Sequence, residues 1–77
     1  MNQKLAELIA DVLDMPVAEV TPRMVREGHP KWDSLNHLRL VTAIEEEFGV
    51  ALSMDEIEAV ETVGQLDEMI AEHCTPA

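Results

Sequence analysis

The sequence predicts an all-α fold: a small four-helix bundle, with three main helices, one short helix and a long first loop. Three observations predict it. Apolar residues recur at helical spacing in three stretches of the chain. Two capping boxes, each a hydroxyl residue followed three positions later by Glu or Gln, open helices in the second half. No stretch alternates as a strand does, and none repeats. The 77 residues suffice for one domain, residues 1–77, and not for two.

The first helix is predicted over about residues 3–14. Leu5, Leu8, Ile9, Val12 and Leu13 form its apolar stripe, Asn2 is its cap, and Pro16 ends it. Residues 15–33 read as a connection, because Pro16, Pro22, Gly28 and Pro30 interrupt any regular element. Unstructured connections of this length are unusual in compact domains and are often functional. Val17, Val20, Met24 and Val25 are expected to pin it to the core. Trp32 either joins them or serves the site beside it.

The second helix is predicted from Ser34 to Phe48, with Leu40, Val41, Ile44 and Phe48 on its buried face and Gly49 as its stop. Leu35 and Leu38 fall on one flank, where they either cover the core's edge or offer a docking surface. Ser53-Met54-Asp55-Glu56 opens a short helix through about Val60. Thr62-Val63-Gly64-Gln65 opens the last, which turns Leu66, Met69, Ile70 and Cys74 inward. The expected core is aliphatic and methionine-containing, hence deformable enough to admit an apolar guest between helices.

Sixteen acidic residues face five basic ones, a formal net charge of −11. The last cation is Arg39, and ten Asp or Glu follow it. Such a field keeps a small domain soluble, repels nucleic acid and anionic membranes, and draws basic protein patches. The single cysteine, Cys74, allows no internal disulfide, which suits a reducing cytoplasm. No segment has the length of a membrane span.

Asp33-Ser34-Leu35 stands at the start of the second helix. Amide N–H groups there lack helical partners and the helix dipole is positive, so a phosphodiester on Ser34 is favoured electrostatically. Ser34, His37 and Asp33 also invite a hydrolase reading. That chemistry needs an oriented base and an oxyanion site in a water-poor pocket, which a domain this small cannot house. His37 is therefore expected to be solvated or to face a partner. His29, His37 and His73 lack metal-ligand spacing, and no stretch carries the alternating oxygen ligands of a calcium loop. No metal and no catalytic residue is expected.

With Glu45-Glu46-Glu47-Phe48-Gly49-Val50 and Thr62-Val63-Gly64, the serine motif resembles that of the acyl carrier proteins, and the resemblance runs from about Leu5 to Ile70. It implies that a phosphopantetheinyl transferase, using coenzyme A, attaches 4′-phosphopantetheine to Ser34, with Asp33 helping to position the transferase's magnesium. The thiol of that arm would hold acyl or aminoacyl cargo as a thioester. Implied partners are acyl-loading and acyl-processing enzymes with basic patches, which would meet Asp33, Leu35, Asn36, Leu38, Arg39, Glu45 and Glu46. The chain departs from the pattern of housekeeping fatty acid synthesis. Those relatives usually have acidic residues at the positions of Asn36 and Arg39, often a methionine at that of Thr42, and a glycine and a small residue at those of Lys31 and Trp32. The departures point to a specialised fatty acid, polyketide or lipopeptide pathway. The expectation is a free-standing, monomeric, cytoplasmic carrier that is not itself an enzyme. The alternative is an acidic adaptor of the same fold whose serine is never loaded.

Overall fold

The computed structural model describes residues 2–73. It contains four α-helices: α1 (Gln3–Leu13), α2 (Ser34–Phe48), α3 (Met54–Ala59) and α4 (Val63–His73). A single 3-10 turn, Val17–Glu19, lies between α1 and α2. No strand forms among the described residues, and α1 packs along α2. Each helix starts where its capping residue stands. Asn2 Oδ1 accepts from the amides of Lys4 and Leu5 at 2.9 and 3.2 Å. Ser53 and Glu56 form a reciprocal capping box on α3. On α4, Gln65 donates its amide to Thr62 Oγ1, while its side-chain oxygen accepts from the amides of Thr62 and Glu61. Gly49 ends α2 in the left-handed region, at φ 64°. Asp14, at φ 53°, ends α1 one residue before the predicted end.

The connection between α1 and α2 is ordered by backbone hydrogen bonds to the start of α4. The amides of Val63 and Gly64, two of the orphan donors of a helix start, reach Met24 O and Pro22 O at 3.1 and 3.0 Å. Arg26 donates its amide to Glu61 O at 2.8 Å, and Val25 pairs with Thr62 in one antiparallel bridge. Gly64 permits this approach, since a Cβ there would stand 3.1 Å from Pro22 O. The backbone shares the pinning that the sequence assigned to side chains. Val20 and Trp32 are buried and Met24 is half-buried, but Val17 and Val25 are exposed, because the bridge holds Val25's backbone and leaves its side chain outside.

The core joins Leu5, Ile9 and Leu13 of α1, Leu40 and Ile44 of α2, Val60, and Val63, Leu66 and Ile70 of α4, with Trp32 closing one end. Phe48, predicted as buried, is only half-buried; its ring packs on the core's edge with Lys4 Nζ 5.6 Å from its centroid. Met15, Met24 and Met69 also lie at the edge of the core. Cys74 lies outside the described residues.

Candidate functional site

Asp33 is the N-cap of α2 and Ser34 its first helical residue. Asp33 Oδ1 accepts from the Asn36 amide at 2.8 Å, and the Asp33 carbonyl accepts from the His37 amide, also at 2.8 Å. The amides of Ser34 and Leu35 have no partner among the described residues, nor has the Ser34 hydroxyl. Ser34 is exposed, so its hydroxyl and two free N–H donors stand together at the positive end of α2.

The segment before the serine is held from both sides. Asn36 Nδ2 donates to Lys31 O at 2.7 Å, and Lys31 Nζ donates to Asp14 O at 2.9 Å. Beside Ser34 opens a cleft of about 510 Å3, lined by Val25–His29, Trp32, Asp33, Ser34 and Glu61.

His37 is buried, contrary to the expectation of a solvated or partner-facing ring. Trp32 Nε1 donates to His37 Nδ1 at 3.0 Å, and His37 Nε2 lies 2.9 Å from Ile57 O. An indole N–H only donates and a carbonyl only accepts, so the imidazole is neutral with its proton on Nε2. The sequence held a signal for this pairing. Trp32 precedes the cap and His37 is the fourth helical residue, the two positions that pack together as a staple across a helix start. A hydrolase base at this position is thereby excluded, since both ring nitrogens are spent on structure.

The residues expected to meet partners divide into two groups. Leu35, Leu38, Arg39 and Glu46 line one shallow groove on the outer face of α2, with Thr42 and Ala43. Leu35 and Leu38 are 60% and 55% exposed, which makes them surface rather than the edge of the core. Asp33, Asn36 and Glu45 instead have work inside the chain. Asp33 caps α2, Asn36 holds Lys31, and Glu45 Oε2 accepts from the Leu52 amide at 3.0 Å, which fixes the turn before α3. Glu47 pairs with Lys4 at 3.1 Å. No ion pair forms at Arg39 among the described residues.

Residues 31–70 match the family model described as a phosphopantetheine attachment site. An acyl carrier protein of Rubrobacter xylanophilus is 34% identical over 73 residues, covering 95% of this chain and 90% of the relative. The chain belongs to the acyl carrier protein family. An acyl carrier protein of Acidothermus cellulolyticus is 37% identical over 67 residues, covering 87% of this chain and 80% of that relative. Members are carriers, not catalysts, and their cofactor is 4′-phosphopantetheine, whose thiol holds acyl groups. The site fits that group, because an exposed hydroxyl, two unpartnered amides and an open cleft adjoin one another at the start of α2. No helix among the described residues is long and apolar enough to cross a membrane.

Proposed function

We propose that Ser34 carries the 4′-phosphopantetheine arm and that residues 1–77 act as one carrier domain, monomeric and cytoplasmic. Its acyl or aminoacyl thioesters would pass between enzymes of a specialised fatty acid, polyketide or lipopeptide pathway. The observation that carries the site is the contrast between the chain's two serines, both inside the matched segment. Ser53 spends its hydroxyl as the cap of α3, accepting from the Glu56 amide at 3.1 Å. The Ser34 hydroxyl is exposed and uncommitted. In the transfer, Ser34 Oγ forms the new bond to phosphorus, the pyrophosphate link of coenzyme A breaks, and its adenosine bisphosphate part leaves.

The pathway reading rests on Arg39. It sets a positive charge between Leu38 and Glu46 on the groove that partners would meet, which disfavours enzymes whose docking patch is basic. Asn36 contributes differently, by holding the backbone at Lys31 in place.

The test is intact mass after incubation with coenzyme A and a broad-specificity phosphopantetheinyl transferase. The native chain is expected to gain one arm, and Ser34→Ala to fold normally and gain none. Loading of that variant would refute the assignment. No mass gain by the native chain would favour an adaptor whose serine is never loaded.

A further inference from the structure

The hydrogen-bonded chain Trp32–His37–Ile57 ties three segments together: the connection before α2, α2 itself, and α3. Trp32 and His37 are 2% and 4% exposed, and their rings lie 6.1 Å apart. We propose that this chain shuts the seam between α2 and α3, so that the carrier keeps its cargo outside the bundle and serves short or polar acyl groups rather than long aliphatic ones. The inference rests on the reading that Ser34 carries the arm.

The argument is one of satisfied polar groups. Among the described residues no buried side-chain nitrogen or oxygen lacks a hydrogen-bond partner. An alkyl chain entering the seam would part His37 Nε2 from Ile57 O. It offers neither donor nor acceptor in return, so it would strand the buried His37 N–H and take this donor from the half-buried Ile57 carbonyl. Apolar burial alone would favour a long chain, at about 0.8 kcal/mol per methylene, so the exclusion rests on this bond together with the packing around it. The neighbours give little room, since Leu40, Ile44, Val60 and Leu66 are fully buried and interiors are close-packed. The flexible methionines that would let a core yield lie at its edge. The cleft beside Ser34 offers the other side. Arg26, Glu27, His29, Asp33 and Glu61 rim it, and these polar side chains suit the arm's amides and a small polar acyl group.

The test loads the chain from acetyl- and decanoyl-coenzyme A with a broad-specificity transferase and confirms both products by mass. Two readouts follow: thioester cleavage by hydroxylamine, and emission of Trp32, the chain's single tryptophan. In the native protein both forms should be cleaved at the same rate, with the same emission. In His37→Ala the decanoyl form should be cleaved about tenfold more slowly than the acetyl form, the scale of one net buried hydrogen bond. A purely structural role would move both forms alike. Should His37→Ala fail to fold, Trp32→Phe, which removes the indole donor and part of the buried ring, replaces it in the comparison, with hydroxylamine cleavage as the readout. Protection of the decanoyl form in the native chain overturns the proposal. Equal cleavage in the folded variant does so too, because the hydrogen-bonded chain is then not what excludes the alkyl group. Absence of any mass gain would instead refute the loading at Ser34, and this inference with it.

Discussion

The connection between α1 and α2 and the outer face of α2 reverse the usual expectation of loops and helices. The connection has almost no regular structure, yet its backbone satisfies the first amides of α4 and its last apolar residue, Trp32, is buried. The face of α2 is regular helix, yet Leu35 and Leu38 stay exposed on it and outside the core. Regularity and commitment to the fold are therefore separate properties. Where the backbone is irregular it is spent on the fold, and where the helix is regular its side chains remain free for others.

The sharpest way to break this comparison is to cut one residue from each region. Trp32→Ala removes a buried ring and leaves His37 Nδ1 without its donor, so it should cost about 3–5 kcal/mol, measured by urea unfolding. That is enough to unfold much of the population of so small a domain. A loss below about 1 kcal/mol would mean that the connection is not held as described. Leu38→Ala should leave stability within about 0.5 kcal/mol, because the side chain is exposed. Its affinity for a processing enzyme should nevertheless fall about tenfold, the effect expected of an apolar anchor in an interface. The reverse pattern would make the outer face part of the fold.

Arg39→Glu sharpens the picture of the groove. Turnover of the loaded chain by a housekeeping fatty acid ketosynthase should rise severalfold, mainly through faster association, and the gain should fade with added salt. Equal turnover would remove Arg39 from partner choice. The companion change Asn36→Asp would also replace the donor to Lys31 O with an acceptor, so it cannot report charge alone. For the same reason Glu46 is a cleaner target for charge reversal than Glu45 or Glu47, which are bonded within the chain.

The smallest effect concerns the α3 end of the molecule. The Ser53 amide, followed by the His73 ring, brings Glu56 down from 4.5 to about 2. Between those values the folded chain binds fewer protons here than the unfolded chain. This contribution is thus fully present above about pH 4.5 and is lost as pH falls through about 2. Glu56→Gln keeps an oxygen for the Ser53 amide, and it should flatten the acid limb of stability against pH relative to the native chain. An unchanged limb would show that Glu56 is not bound as a carboxylate.

Asn2, Ser53, Thr62 and Gly49 were legible as helix boundaries because a cap is a local bond, made within a few residues. Ser34 was legible as a candidate for the same reason, since its exposure and free donors follow from standing one position after a cap. The sequence alone therefore determined the helices, their order and the exposed serine. Tertiary structure decided how the connection is held, which acidic residues remain free, and what His37 does. Its partners are a residue five positions back across a helix start and a carbonyl twenty positions ahead. Only packing can bring a donor and an acceptor so far apart in the chain to the two nitrogens of one ring.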